Sequence, residues 1–312
     1  MKVLVVGDGA LGQVLGLRLA IGGASVSYLV KPGRADWGPH GRTLYRLRRW
    51  AKPVAQHLRP HGVHSEITEG RWDMVWLCVP STALRQPWLP GLREVVGTAT
   101  VVSIGQDVHD RAVLGNIWPA EQIVQVAPSV LAYAAPLATE VPAPGIAYWT
   151  PPGAVTTVSG RAERAHPVVA ALRAGRMRAR YAGQIGSGEL AAALMIPYIA
   201  ALEVAGWSLS SLRAELGPPT EASREAVAVV SALGGGSPPR LRPPAWLVGL
   251  VLRLLPRLAP FDLARYLRAH FTKVAAQTRL MLDGWIAEGE SHHLPVTRLR
   301  ELRRALSAEK TP

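Results

Sequence analysis

The sequence predicts an α/β fold in which an N-terminal domain on a mostly parallel sheet is followed by an all-helical C-terminal domain. Through the first half of the chain, short and almost wholly apolar runs alternate with helical patterns, as in a parallel sheet covered on both faces. The second half contains helical patterns only. The length of 312 residues also favours two domains over one. We place the boundary near Gly183, which gives domains 1–183 and 184–312.

The N-terminal domain opens with a strand, a glycine-rich turn, a helix and a second strand. Met1 to Val6 is the first strand, the helix ends at Gly22 and Gly23, and Ala24 to Val30 is the second strand. Helices are expected over Ala83 to Val95 and Arg164 to Arg173. Further strands are expected at Asp73 to Val79, Thr100 to Ile104, Ile123 to Val126, Ala147 to Trp149, Val155 to Val158 and Arg178 to Ala182.

A basic segment, Arg34 to Arg71, lies between the second strand and the next one. Arg42, Arg46 and Arg49 have the spacing of one helix face. We expect a solvated helix here, and the alternative is a basic rim around a phosphate-bearing ligand.

The C-terminal domain is predicted to consist of helices joined by one Gly/Pro/Arg loop, Gly234 to Pro244. The apolar stretch Ala245 to Ala264 is interrupted by arginines and prolines, which favours a buried or surface-lying helix over a membrane span. The stretch from Gly234 to Pro260 could form a lid or a contact in a homodimer, and the sequence does not choose between them. The other helices are expected at Glu189 to Leu212, Glu221 to Leu233, Phe261 to Glu288 and Val296 to Glu309.

The charge balance is strongly basic, with a formal net charge of +13 and a sequence pI of about 10.6. Such values raise nucleic acid or an anionic membrane as partners. However, only five of the 35 basic residues are lysine, and Ala, Gly, Pro and Trp are abundant. This skew is typical of GC-rich coding, so we do not predict a nucleic-acid partner. The single cysteine, Cys78, excludes an internal disulfide and is expected to be a buried structural thiol.

The turn after the first strand carries three glycines, Gly7, Gly9 and Gly12. In a strand-turn-helix unit the first glycine permits a tight turn, the second lets the backbone approach a pyrophosphate, and the third lets helix and strand pack closely. The amides of Ala10 and Leu11 open the helix, whose N-terminus favours phosphate groups. This pattern predicts a Rossmann-type dinucleotide-binding domain.

The end of the second strand distinguishes NADP from NAD. An acid there would bind a ribose hydroxyl, whereas a cation would bind the additional phosphate of NADP. The cations Lys31 and Arg34 occupy this turn, and no acid does. NADP is therefore the expected cofactor. Asp8 disagrees with this prediction, because a carboxylate beside the pyrophosphate is repulsive unless its side chain points away.

The chain resembles the ketopantoate reductase family. The resemblance rests on Lys2 to Gly12, on Lys31, on Asp73 to Val79, and on the C-terminal stretch Gly284 to Leu302. It implies a Rossmann domain and a helical domain, with NADPH and a 2-oxo acid meeting in the cleft between them. It also implies cofactor contacts from Val79 and Pro80 after one strand and from Gln106 after the next.

Four parts of that family's active site are missing from this sequence. No lysine lies between Lys52 and Lys273, although the family uses one at a position that falls near Ala192. Asn116 is the only asparagine, and Gln106 stands where the family has one near the substrate. No glutamate lies between Glu225 and Glu288, and Pro80 replaces a lysine. We therefore expect an NADP-dependent reductase of a small carbonyl or imine other than ketopantoate. The alternative is a catalytically silent NADP-binding protein.

Candidates for the proton donor come from the helical domain. His270, Lys273 and Gln277 would share a face of the late helix, and Tyr198 lies on the helix where the family has its lysine. Tyr198 could equally be a packing residue and Lys273 a solvated one. His109, after the strand Thr100 to Ile104, could contact substrate or be an inert loop histidine. No metal site is expected at His292 and His293, and a cytoplasmic protein without a membrane span is the default.

Overall fold

The computed structural model describes residues 1–66, 70–183, 187–234 and 244–308. The chain divides into one unit of residues 1–106 and 110–188 and another of residues 107–109 and 189–312. Four predicted features fall partly outside the described residues. They are the basic segment at 67–69, the start of the helical domain at 184–186, most of the loop from Gly234 to Pro244, and the last residue of the final helix.

The first unit contains two sheets. The larger sheet has the strand order β12-β11-β8-β7-β6-β1-β2-β5 and is parallel except where β11 meets β8. The smaller sheet has the order β4-β3-β10-β9. The strands are β1 (Lys2–Val6), β2 (Ser25–Leu29), β3 (Arg42–Arg48), β4 (Ala51–Leu58), β5 (Gly62–His64), β6 (Met74–Leu77), β7 (Thr100–Ser103), β8 (Ile123–Ala127), β9 (Leu131–Ala135), β10 (Gly145–Trp149), β11 (Thr156–Ser159) and β12 (Ala179–Tyr181).

The central strands of the larger sheet are buried on both faces. Val3 and Val5 of β1 belong to one hydrophobic core, whereas Leu4 and Val6 belong to the core on the opposite face. This alternation explains why the strands are apolar without interruption. The helices of this unit are α1 (Ala10–Ile21), α2 (Trp88–Val96), α3 (Asp110–Gly115) and α4 (Ala162–Ala174), and short 3-10 turns lie at Ala83–Arg85 and Ala120–Gln122.

The second unit is helical throughout its described residues. Its core is formed by α5, α7, α10 and α11 around Trp285, Met281 and Leu282. The α/β fold followed by helices, as predicted from the sequence, is confirmed. The helices are α5 (Ser187–Val204), α6 (Leu209–Ala214), α7 (Gly217–Leu233), α8 (Ala245–Leu258), α9 (Leu263–Lys273), α10 (Ala275–Ser291) and α11 (Thr297–Ala308).

The predicted basic helix over Arg42, Arg46 and Arg49 is wrong. Residues 42–48 form β3, which pairs with β4 on one side and with β10, about one hundred residues later, on the other. Leu44 and Leu47 are buried in this sheet. The arginine spacing fits a helix, but the distant partner strand supplies hydrogen bonds that the local pattern does not reveal.

Two of the predicted long helices are each divided in the structure. The helix from Glu189 ends at Val204, where Trp207 has a φ of 64°, and α6 begins after Ser208, whose Oγ accepts a hydrogen bond from the Ser211 amide at 3.2 Å. The helix predicted over Phe261 to Glu288 is interrupted at Val274, between α9 and α10. Val274 is β-branched, and its φ of −109° departs from helical geometry. The prediction that His270, Lys273 and Gln277 share one helix face assumed a continuous helix. The break at Val274 removes that basis.

Candidate functional site

The glycine turn between β1 and α1 depends on the absence of two side chains. Gly7 has a φ of 97°, and a Cβ there would lie 2.8 Å from the carbonyl oxygen of Cys78, which directly follows β6. A Cβ at Gly12 would lie 2.5 Å from the carbonyl oxygen of Gly7. Both distances are shorter than the contacts that real Cβ atoms make in proteins. The turn therefore needs glycine at its first and third positions for reasons internal to the protein.

Gly9 differs from the other two glycines of the turn. A Cβ at Gly9 would meet no protein atom within 4 Å, and its φ of −61° is open to any residue. Gly9 is the N-cap of α1 and makes no side-chain hydrogen bond to the helix. The first amides of the helix, including those of Ala10 and Leu11, point toward its N-terminal end. Contacts within the protein give no reason for glycine at position 9. A bound group that approaches the backbone of the turn from outside would give one.

Asp8 forms an ion pair with Arg34. Both Nε and Nη2 of Arg34 lie 3.0 Å from Oδ2 of Asp8, which is buried, while the arginine side chain is more than half exposed. The Asp8 carboxylate is therefore neutralised by a cation from the turn after β2. Lys31 lies in the same turn, is exposed, and its carbonyl oxygen accepts from the amide of Arg34 at 3.1 Å.

Val79 and Pro80 follow β6 beside the glycine turn. The side chain of Val79 would lie 3.0 Å from a Cβ at Gly7, and Pro80 is exposed. Burial raises the pKa of the neighbouring Cys78 thiol to about 12, so this cysteine is a packing residue and not a nucleophile. Gln106 follows β7 and is half-buried near Gly188.

A buried network, which the sequence did not reveal, connects the segments after β6 and β7. Asp110 accepts a hydrogen bond from Ser81 Oγ at 2.6 Å and one from Arg85 Nη1 at 2.9 Å. The same arginine nitrogen donates to the carbonyl oxygen of Ser81. Asp110 and Ser81 are fully buried, so the network fixes the segment that carries Pro80 relative to α3. Neither residue belongs to a recognisable spacing pattern, so only the three-dimensional structure brings them together.

Tyr198 lies in α5 and points toward α7. Its hydroxyl donates to Oγ1 of Thr220 at 3.0 Å, and Thr220 in turn donates to the carbonyl oxygen of Leu216. Its ring packs in a cluster with Leu202, Leu212 and Leu216. This environment fits the packing alternative. Ala192, where the resemblance places a lysine, is buried in the core of the second unit.

His270 and Lys273 occupy the last turn of α9. The His270 ring stacks on Tyr266 and meets Phe271 edge to face, and burial together with the nearby Lys273 charge lowers its pKa. Lys273 is exposed. Gln277 belongs to α10, on the other side of the break at Val274.

His109 is held by two carboxylates of the second unit. Its Nε2 lies 2.7 Å from Oε1 of Glu288 in α10, and its backbone amide donates to Oδ1 of Asp107 at 3.1 Å. The ring packs against Gly284, where a Cβ would lie 3.4 Å from it. Asp107 is fully buried, while the His109 side chain is 41% exposed. An imidazole that is fixed by a carboxylate and open to solvent is suited to proton transfer. The sequence pointed to His109 but not to Glu288, which is 179 residues away.

The end of α10 carries the two adjacent histidines. His292 Nε2 is 3.9 Å from Oε2 of Glu288, and His293 has a left-handed φ of 55°. Among the residues that the structure describes, no group of three or more His, Cys, Asp and Glu side chains is placed to hold a metal ion. Nor does any helix in the described ranges combine the length and apolar character needed to cross a bilayer.

The two units together define the class of the fold. It consists of a doubly covered parallel sheet with a glycine turn after its first strand, followed by a set of helices. No family model and no curated protein matches the sequence. Solved structures do match it.

Three of these similar structures illustrate the range. A 2-dehydropantoate 2-reductase from Methylococcus capsulatus is 17% identical, with a TM-score of 0.71, covering 99% of this chain and 97% of that one. A ketopantoate reductase from Ralstonia eutropha is 18% identical, with a TM-score of 0.70, covering 99% and 98%. D-mandelate dehydrogenase with NADH and anilino(oxo)acetate is 12% identical, with a TM-score of 0.71, covering 99% and 98%. The chain has the ketopantoate reductase fold over its whole length, and the resemblance predicted from the sequence is confirmed at the level of the fold.

Proposed function

We propose that the chain is an NADP-dependent oxidoreductase of the ketopantoate reductase superfamily. It would transfer hydride between NADPH and a small carbonyl or imine substrate other than ketopantoate. The observation that carries the proposal is the open space above Gly9, in a turn whose other two glycines are required by the protein itself. A dinucleotide pyrophosphate at this helix N-terminus gives the reason for glycine at the second position, Gly9.

The surroundings of the turn fit an anionic cofactor. Arg34 neutralises Asp8, which removes the repulsion that a free carboxylate would exert on phosphate groups. Ala10, Leu11 and Gly12 would contribute amides, and Val79, Pro80 and Gln106 would lie along the cofactor. Lys31 and Arg34 would meet the additional phosphate of NADP, as predicted from the sequence. When bound, the nicotinamide supplies the hydride chemistry itself.

The second unit would supply the proton. The sequence candidates were Lys273, His270 and Tyr198, and they remain proposals. His109 is a fourth candidate, and we favour it. The Tyr198 hydroxyl already donates to Thr220, and the His270 ring lies between two aromatic rings. His109 combines exposure with a carboxylate partner, Glu288, that would hold the ring orientation.

The alternative is a catalytically silent NADP-binding protein. Ala192 favours it, because its methyl group, buried among apolar residues of the second unit, cannot perform the chemistry of the missing lysine. A homodimer and a cytoplasmic location also belong to the proposal.

Coenzyme titration tests the cofactor proposal. NADPH should bind the purified chain more tightly than NADH. Arg34→Ala should weaken NADPH binding about tenfold more than it weakens NADH binding, because the contact to the additional phosphate is lost only for NADPH, whereas the unpaired Asp8 carboxylate affects both coenzymes. Asp8→Asn should tighten NADPH binding, since it releases Arg34 from the ion pair for the additional phosphate and keeps the side-chain size. Arg93→Ala, an exposed arginine of α2, is the matched control. Tighter binding of NADH by the unmodified chain would overturn the NADP assignment.

Turnover then separates the enzyme from the silent protein. NADPH oxidation is measured across a panel of 2-oxo acids, other small carbonyls and imines. Oxidation of NADPH with any of them supports the reductase. Tight NADPH binding with no turnover anywhere in the panel supports the alternative.

A further inference from the structure

Helix α8 presents an apolar face to solvent. Six large apolar side chains of this 14-residue helix are exposed, and none of its residues is buried. Trp246 is 70% exposed, Val251 49% and Leu258 52%. The full set, called here the α8 face, is Trp246, Leu247, Leu250, Val251, Leu254 and Leu258.

The opposite side of α8 is already used for packing. Ala245, Val248 and Leu252 pack against the cluster formed by Leu202, Leu212 and Leu216. At Gly249 a Cβ would lie 3.2 Å from the Leu216 side chain, so the helix backbone approaches the cluster closely. The α8 face is therefore separate from the side that holds the helix in the fold. Contiguous exposed apolar surface of this kind marks an interaction site.

Both charged side chains of α8 are positive. Arg253 and Arg257 lie, on a helical projection, beside Trp246 at one edge of the α8 face, and Arg257 donates to the carbonyl oxygen of Arg253. In the sequence from residue 226 to residue 261 there are four arginines and no acidic residue. An apolar face with tryptophan and arginine at its edge is the pattern of helices that lie in a membrane interface.

We propose that the α8 face docks this protein on the surface of an anionic lipid bilayer. The apolar side chains would enter the boundary between headgroups and acyl chains, and Arg253 and Arg257 would pair with lipid phosphates. The helix is about 21 Å long at 1.5 Å per residue, shorter than the hydrocarbon core of about 30 Å, so it lies on the membrane and does not cross it.

Charge favours a lipid surface over a second copy of the chain. A twofold contact between two α8 faces would bring four arginines together, and the segment has no acidic side chain to pair with them. An anionic bilayer neutralises the same charges. The net charge of +13 acts in the same direction.

Vesicle co-sedimentation of the full-length protein tests the proposal. The protein should bind vesicles of phosphatidylglycerol and phosphatidylcholine in equal parts, and bind vesicles of phosphatidylcholine alone at least about tenfold more weakly. Leu250→Gln with Leu254→Gln should lower the partition coefficient at least about tenfold, because the protein loses two apolar side chains that would enter the bilayer. Arg253→Gln with Arg257→Gln should lower it about 25-fold, from about fivefold for each charge.

Matched variants separate this face from general surface effects. Leu233→Gln removes an exposed leucine of α7, and Arg224→Gln with Arg268→Gln removes two exposed arginines of α7 and α9. These variants should reduce vesicle binding far less than the α8 variants. Circular dichroism shows that each variant is folded. Quenching of tryptophan fluorescence by brominated lipid should decrease in Trp246→Phe.

Any one of three results would overturn the proposal. They are equal binding to neutral and anionic vesicles, binding that the α8 variants leave unchanged, and absence of binding to anionic vesicles. If binding is absent and light scattering shows a dimer that Leu250→Gln with Leu254→Gln converts to a monomer, the face belongs to a second copy. The test does not depend on NADPH binding or turnover, so its outcome is independent of the proposed enzymatic function.

Discussion

The glycine turn of the first unit and the histidine region of the second unit are built in different ways. The turn is defined by backbone contacts, since a Cβ at Gly7 or Gly12 would meet a carbonyl oxygen of the protein itself. In the second unit, His109 and Glu288 meet as side chains from positions 179 residues apart. A site defined by backbone geometry leaves a residue pattern in the sequence, whereas a site assembled from distant side chains does not.

The largest expected effects come from replacing single glycines of the turn by alanine, which adds one methyl group at each position. Gly12→Ala should lower the free energy of unfolding by about 3 kcal/mol, because the new Cβ meets backbone that cannot move aside. Gly9→Ala should change it by less than about 1 kcal/mol and still weaken NADPH binding at least about tenfold. Chemical denaturation and coenzyme titration measure the two effects. If Gly9→Ala leaves NADPH binding intact, the open space above Gly9 has no part in cofactor binding.

The role of the side-chain site is tested next, once a substrate has been found. His109→Ala should lower kcat about 100-fold to 10,000-fold with a smaller change in KM, because a proton donor contributes that range. Glu288→Gln should lower kcat less, as expected of a residue that positions the His109 ring without itself donating the proton. The exposed His57→Ala in β4 is the control. If His109→Ala leaves kcat unchanged, the proton donor is one of the other candidates, Lys273, His270 or Tyr198.

The smallest expected effect concerns His270. Burial and Lys273 hold its pKa below the ordinary value of 6.5, so the unfolded chain takes up the proton first as the pH falls. Stability should therefore decrease as the pH is lowered from about 6.5 toward the folded-state pKa. Lys273→Ala should raise the His270 pKa, which NMR titration of the ring protons measures, and should reduce the acid destabilisation. A downward shift of that pKa would contradict the assigned influence of Lys273.

Where the local pattern and the tertiary contacts agreed, sequence reasoning succeeded. The strand, turn and helix from Lys2 to Ile21 follow from β-branched residues, glycines and helical spacing that all favour the same structure. Sequence reasoning failed where contacts with distant segments of the chain decided the structure. Residues 42–48 pair with β10, and the chain around Val274 ends one helix and starts another. The basic spacing and the apolar periodicity carried no information about either event.

The sequence by itself determined the class of fold, the place of the glycine turn and the absence of any lysine between Lys52 and Lys273, because each follows from residue identity and spacing along the chain. Only the tertiary structure decided that Asp8 is neutralised by Arg34, that Asp110 and His109 take part in separate networks, and that α8 keeps its apolar face in solvent. The physical reason is that side-chain pairing and burial depend on which distant segments meet. That choice is made by the packing of the whole chain.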